Sequence, residues 1–244
     1  MARRLRTILE PPRRCSYLPD RQASLEHHIL LDVEPAELDH LLERGYRRFG
    51  PDYFRPACGA CSACIPTRLP TATFAPSKSQ RRAARKCASL VRRVGPPVVD
   101  DERLALYAAW HRSREAARGW PDNPVDAESY HLQFAFPHPS AREITYRQPD
   151  SGRLVGVALS DEGTRAWSAV YFFYAPSWGA RSIGVANVMA QVELARERGL
   201  PHVYLGYFVE GCPSLAYKGG YHPQARLVGR PGLGDEPRWV TVDA

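Results

Sequence analysis

Apolar and polar positions change period along this chain, and each change predicts an element. From Pro35 to Phe49, Leu38, Leu41 and Leu42 recur at helical spacing and Gly45 stands where a helix would end, so a short helix is expected. Met1 to Arg14 is basic and interrupted by prolines, and reads as a loose arm. Phe54 to Pro66, rich in Cys, Gly, Ala and Pro, reads as a loop. Thr67 to Phe74 alternates like a strand, and Pro70 assigns it to a sheet edge. Ser77 to Leu90 reads as a basic helix, and Gly95-Pro96-Pro97 as a break between regions.

Beyond the break, Asp100 to Arg118 is an expected helix with Leu104, Leu106, Tyr107, Trp110 and Ala117 as its apolar positions, and Asp126 to Phe136 is a second. Strands follow at Glu143–Arg147, Leu154–Asp161 and Trp167–Tyr174, then a helix over Ser182–Gly199. A strand at His202–Phe208, a short helix and a last strand at Ala225–Val228 complete the chain. Three successive strands, a helix and a strand follow the order of the GNAT acyltransferase fold. The expected class is therefore α+β: a smaller Cys-containing region over residues 1–95 and a GNAT-like domain over 96–244. Fold order does not fix chemistry.

Composition narrows the partners. With 244 residues, 44% of them hydrophobic, a sizeable core can form. No apolar run approaches the 18 or more residues of a membrane span, and the Arg-rich start lacks the apolar stretch of a signal peptide. A cytoplasmic protein without a membrane partner is expected. The net charge of +7 favours a polyanionic partner. Lysine is scarce, standing only at Lys78, Lys86 and Lys218. Ser77 to Lys86 carries five positive charges and no acid, and Arg92 and Arg93 continue the run. On a helix, Arg81 and Arg85 share a face, as do Lys78 and Arg82. Such a face suits phosphates, although solvated charged faces are the commoner case. Ser77 is placed to cap the helix.

Two further clusters carry candidate chemistry. Cys58, Cys61 and Cys64 stand at two-residue gaps, with Cys15 as a fourth thiol. Without an export signal they read as ligands for zinc or an iron–sulfur cluster before disulfides, or as small buried apolar residues. Near the C-terminus, Ser182 and Gly184 open a helix whose free N–H groups suit a phosphate or ribose oxygen. Gly206 lies in the strand Tyr204-Leu-Gly-Tyr207-Phe208, where a ligand backbone can approach, and Tyr217-Lys218 follows.

These segments together resemble the bacterial aminoacyl-tRNA–protein transferases. The resemblance is carried by Cys15-Ser-Tyr-Leu-Pro-Asp-Arg21, Tyr53-Phe-Arg-Pro-Ala-Cys58 with its following cysteines, Phe74-Ala-Pro-Ser-Lys-Ser-Gln-Arg-Arg82, Ala169-Val-Tyr-Phe-Phe-Tyr-Ala-Pro176, Glu193 to Pro201, Tyr204-Leu-Gly-Tyr207 and Ala216-Tyr-Lys218. It departs at Arg118-Gly-Trp-Pro-Asp122, at Ser182-Ile-Gly-Val-Ala186 and at Tyr221. The resemblance implies transfer of leucine, or secondarily arginine, from aminoacyl-tRNA to proteins with N-terminal Asp or Glu, which marks them for degradation. No cofactor is required for that chemistry. Tyr207, Tyr217 and Lys218 would line the transfer site, and Lys78, Ser79, Arg81, Arg82, Arg85, Ser182 and Gly184 would hold tRNA or acceptor. The rival expectations are a non-catalytic RNA-binding or metal-sensing relative and an acyl-CoA-dependent GNAT enzyme, for which Arg181-Ser-Ile-Gly-Val-Ala186 is only a partial pyrophosphate loop.

Overall fold

A computed structural model describes residues 2–118 and 126–243. The segment 119–125, which holds most of the divergent stretch around Trp120, lies outside the described residues. In chain order the strands and helices are β1 (Arg3–Leu9), β2 (Arg13–Arg14), β3 (Gln22–Ala23), β4 (Leu25–Leu31), α1 (Pro35–Glu43), β5 (Arg47–Phe49), β6 (Asp52–Pro56), β7 (Ile65–Pro70), α2 (Lys78–Lys86), β8 (Val91–Gly95) and α3 (Asp101–Arg118). Then come α4 (Ala127–Tyr130) with a wider turn to Ala135, β9 (Ala141–Arg147), β10 (Leu154–Glu162), β11 (Ala166–Tyr174), α5 (Ile183–Glu197), β12 (His202–Phe208), β13 (Gln224–Leu227) and β14 (Trp239–Val242).

An eight-stranded sheet in the order β14-β13-β7-β12-β11-β10-β9-β8 forms the body, and a four-stranded sheet β1-β4-β6-β5 stands beside it. Strands β9, β10 and β11 form an antiparallel meander, and β12 returns parallel to β11 after α5. This is the GNAT-like order expected from the sequence. Strands β7 and β8, which precede Pro96, belong to the same large sheet. Its faces are covered by α3 and α5 around buried Tyr107, Tyr130, Ile144, Val157, Trp167, Phe173, Ile183 and Val203. A second core under α1 joins Leu38, Leu42, Tyr46 and Tyr53 to Ala166 and Tyr204 of the large sheet. No helix of the described residues is long and apolar enough to cross a membrane.

Four local expectations need correction. The arm at Met1–Arg14 is not loose, because Arg3–Leu9 pairs with β4 and hydrogen bonding across the ladder overrides its weak pattern. The first helix ends at Glu43 with Gly45 at φ +83 just past its cap, as expected, but Arg47–Phe49, taken with it, is a strand. The basic helix ends at Lys86, so Arg92 and Arg93 sit on β8 rather than on its face. Strand β7 is internal rather than an edge. Pro70 is tolerated because β13 pairs only with Thr67 and Arg68, leaving the proline beyond its reach.

Candidate functional site

Strands β11 and β12 pair only through Ala166–Ser168 and His202–Tyr204, and their later halves are not paired to each other. The side chain of Arg47 from β5 reaches this opening. It donates from Nη1 to Ser168 Oγ at 3.1 Å and from Nη2 to the Ala169 carbonyl. On β12, Gly206 has φ +84, and a Cβ there would stand 3.4 Å from Lys218 Nζ and 3.6 Å from Arg47 Cζ. The left-handed backbone is what calls for glycine there, and the two basic groups stand at contact distance above it.

Lys218 comes from a short 3-10 helix, Ala216–Gly220, held in place by two glutamines. Gln80 Nε2 donates to the Gly220 carbonyl at 3.0 Å. Gln224 Nε2 donates to the carbonyls of Lys218 and Tyr221 at 3.1 and 2.8 Å. The Lys218 amine is 9% exposed and donates to the Tyr207 carbonyl at 3.1 Å. Burial, helped by the neighbouring Arg47 charge, pushes its pKa down to about 7. Near neutral pH this side chain therefore exchanges a proton readily, and with one N–H on Tyr207 its lone pair is free for a ligand.

The helix α2 brings phosphate chemistry to the same place. Ser77 Oγ accepts from Gln80 N at 3.3 Å while Gln80 Oε1 accepts from Ser77 N at 2.8 Å, a capping box that starts the helix. Gln80, Ala83 and Cys87 turn inward, leaving Lys78, Ser79, Arg81, Arg82, Arg85 and Lys86 towards solvent. Gln80 thus serves twice, at the helix start and at the Lys218 turn. A cavity of about 220 Å³ lies between α2, the start of α5 and the 3-10 helix, lined among others by Ser79, Arg82, Lys86, Ser182, Tyr217 and Tyr221. A shallower groove of about 480 Å³ runs along Lys78, Ser79, Arg81, Arg82 and Arg85. Ser182 enters α5 at φ 60 and makes no side-chain cap, so its turn leaves first-turn N–H groups for a ligand. Gly184 is half-buried just behind it.

Of the residues expected at the site, Ser79, Arg82, Ser182 and Tyr217 line the cavity, Lys78, Arg81 and Arg85 line the adjoining groove with Ser79 and Arg82, and Lys218, next to Tyr217 on the 3-10 helix, turns its amine to Gly206 and the Tyr207 carbonyl instead. Tyr217 is 53% exposed there, and its ring stands edge-on to Tyr221 at 6.3 Å. Tyr207 is different. It is buried, and its hydroxyl donates to the Gly45 carbonyl at 2.9 Å, so only its backbone carbonyl serves the site. Arg47 was invisible to sequence reasoning. It is one arginine in a sequence full of them, placed by a strand pairing that no local pattern announces. Gln80 was legible only as a helix cap.

The cysteines form a separate corner against the base of β12. Cys64 packs with Tyr207, Val209 and Cys212. Burial, with the neighbouring Cys58, Cys15 and Cys61, pushes the Cys64 thiol up to about 12. A bond from the Ala63 backbone, with Arg21 donating to Sγ at 3.3 Å, lowers Cys61. Cys15 accepts from the N–H groups of Tyr17 and Leu18, and Cys58 from Ser24 N, each at 3.4 Å. Among the described residues no three Cys, His, Asp or Glu stand in an ion-holding arrangement. The expected set Cys15, Cys58, Cys61 and Cys64 shares this corner, with N–H groups donating to the sulfurs of Cys15, Cys58 and Cys61.

Comparison with known proteins places the chain. A family described as arginine-tRNA-protein transferase matches by its N-terminal part at residues 13–82 and by its C-terminal part at residues 102–228. An aspartate/glutamate leucyltransferase of Chromohalobacter salexigens is 38% identical over 238 residues, covering 94% of this chain and 93% of that protein. One of Chromobacterium violaceum is 39% identical over 232 residues, covering 95% and 91%. Among solved structures, L-PGS from Bacillus licheniformis aligns with TM-score 0.46 and 14% identity over 68% of this chain and 47% of that one. FemX aligns with TM-score 0.44 and 10% identity over 69% and 59%.

Proposed function

This chain belongs to the aminoacyl-tRNA–protein transferase family, and from that premise we propose that it transfers leucine from leucyl-tRNA to proteins that begin with Asp or Glu, in the cytoplasm, so marking them for degradation. The observation that carries the chemical reading is Lys218, a buried amine titrating near 7 at the mouth of the β11–β12 opening. The leaving group is the 3′-terminal ribose oxygen of an ester, which a neutral amine attacks without a covalent enzyme intermediate. Lys218 takes the proton of the acceptor's α-ammonium. The amine nitrogen forms a bond to the ester carbonyl carbon and gives up a second proton, the carbon–oxygen bond to the ribose breaks, and of the two protons one goes to the departing ribose oxygen and the other to solvent. The relatives named above supply leucine as the first choice of donor, and arginine is the second.

The basic face of α2 is assigned to the phosphates of the tRNA end. Replacing Arg82 and Arg85 together by alanine is expected to raise the KM for leucyl-tRNA roughly tenfold with little change in kcat. It should also flatten the salt dependence of binding by about 0.7–0.9 log unit per log unit of salt for each phosphate left without its arginine. An unchanged salt slope would remove α2 from the tRNA footprint. Tyr217 is assigned to stack on the terminal base. Tyr217→Ala is expected to weaken leucyl-tRNA binding roughly tenfold, in line with about 1–3 kcal/mol for a base–aromatic stack, while Tyr217→Phe keeps it. Binding titrations with tRNA lacking the terminal adenosine should be indifferent to Tyr217→Ala.

The test of the whole reading is a transfer assay. The protein is incubated with radiolabelled leucyl-tRNA or arginyl-tRNA and peptides beginning with Asp, Glu, Arg or Ala. Leucine should appear on the Asp and Glu peptides. Label from neither tRNA on any peptide would dismiss the enzymatic assignment in favour of an RNA-binding role.

A further inference from the structure

Arg47 is an unusual cation. It is partly open to solvent at the bottom of the opening between β11 and β12. Its two hydrogen bonds go to neutral oxygens of Ser168 and Ala169. Among the described residues no carboxylate pairs with it, whereas its neighbour Arg48 holds Asp161 in a buried ion pair. Burial holds its own pKa below the ordinary arginine value, so the site disfavours its charge as it stands. Lys218 offers no compensation, because it is a second basic group beside the same Gly206. Two basic groups face one glycine, and the nearby acid, Asp161, is already held by Arg48.

We propose that Arg47 receives the side-chain carboxylate of the acceptor's first residue and is the determinant of acidic N-termini. The inference rests on the transfer reading above. The geometry suits a single residue. Arg47 and the Lys218 amine lie within 3.6 Å of the same point above Gly206, and the α-amine and side-chain carboxylate of one Asp or Glu are separated by two or three carbons. With the carboxylate on Arg47, the α-amine of that residue comes to Lys218, the group that takes its proton. A guanidinium fork grips a planar carboxylate through two parallel N–H donors and gains more from it than from the amide of Asn or Gln. Binding also supplies the negative charge that the cleft lacks. The acceptor's specificity and its reactive alignment then come from one contact.

The test compares acceptor peptides that differ only at the first residue, Asp against Asn and Glu against Gln, with leucyl-tRNA as donor. Arg47→Met is expected to lower kcat/KM for the Asp and Glu peptides by about 10- to 100-fold, the span of a charge-assisted hydrogen bond. The Asn and Gln peptides should lose at most a few-fold, so the acid preference collapses. Arg47→Lys keeps the charge without the fork and should retain part of the preference. The ratio of Asp to Asn activity within one preparation does not depend on how much of the variant has folded. If Arg47→Met lowers all four peptides equally, or leaves the Asp-to-Asn ratio unchanged, the proposal is overturned and Arg47 is a structural brace of β11. Failure of the unmodified protein to transfer leucine at all would instead strike the transfer reading.

Discussion

Lys218→Met eliminates most turnover and yields a more stable protein. Loss of a positioned base typically costs about 10²- to 10⁴-fold in rate. The kcat of the Met variant should fall in that range while the KM for leucyl-tRNA moves little. The unmodified enzyme carries a matching pH signature. Its amine must be neutral to accept a proton, and its pKa is pushed down to about 7 by burial and Arg47. The logarithm of kcat/KM should therefore climb with unit slope below pH 7 and level off above it. The same depression makes the charged amine costly to the fold. An unfolded lysine keeps its proton up to its ordinary value of 10.5, whereas the folded one sheds it near 7. Between those values the unfolded chain binds more protons, so stability rises as pH rises from 7 towards 10.5 and is lowest below 7. Methionine removes that penalty and forfeits the bond to the Tyr207 carbonyl, for a net gain of about 3 kcal/mol at neutral pH. Denaturant titrations at pH 7 and pH 10 check it. A Met variant that is inactive and also less stable would mean that Lys218 is a structural group.

The second large effect is in the frame that delivers Arg47. Arg48, the next residue on β5, donates from Nε to both carboxylate oxygens of Asp161 on β10, at 3.1 and 3.2 Å. The side chains are 6% and 1% exposed. Removing one partner of such a pair strands the other charge in the interior, at about 3–5 kcal/mol. Asp161→Ala should therefore lower the melting temperature by roughly 10 °C, given about 2–4 °C per kcal/mol in a chain of this size. The double variant Arg48→Met with Asp161→Leu replaces the pair by apolar packing and should recover most of the loss. Calorimetry on the three proteins decides the matter. A loss below about 1 kcal/mol in Asp161→Ala, or a double variant no better than the single, would show that the small sheet is held to the large one by other contacts. Because β5 also carries Arg47, Asp161→Ala should further blunt the preference for acidic acceptors.

Much of the site was written locally. The capping box at Ser77 and Gln80 and the acid-free run behind it made α2 legible, because both features act within one turn of helix. Lys218 stood out through the scarcity of lysine beside a tyrosine and two glycines. The meander β9-β10-β11, the helix α5 and the return strand β12 followed from period and breaks. The cysteine spacing was equally plain, and the fold brings Cys15 from a distant segment to Cys58, Cys61 and Cys64 while adding Arg21 and Ser24 as donors to their sulfurs. Spacing sets what a loop can reach, and neighbours from elsewhere decide what it touches.

The sequence alone therefore determined the order of elements from β9 to β12, the basic helix and its cap, and the family, since each is encoded in neighbouring residues and in the order of motifs. Only the tertiary structure decided that Arg3–Leu9 is a strand, that Pro70 sits inside a sheet, and that Tyr207 directs its hydroxyl to Gly45. It also decided that Arg47, distant from Lys218 in the chain, meets it at Gly206. Such contacts depend on ladder pairing and burial between distant segments, and those energies have no local signature for a sequence to display.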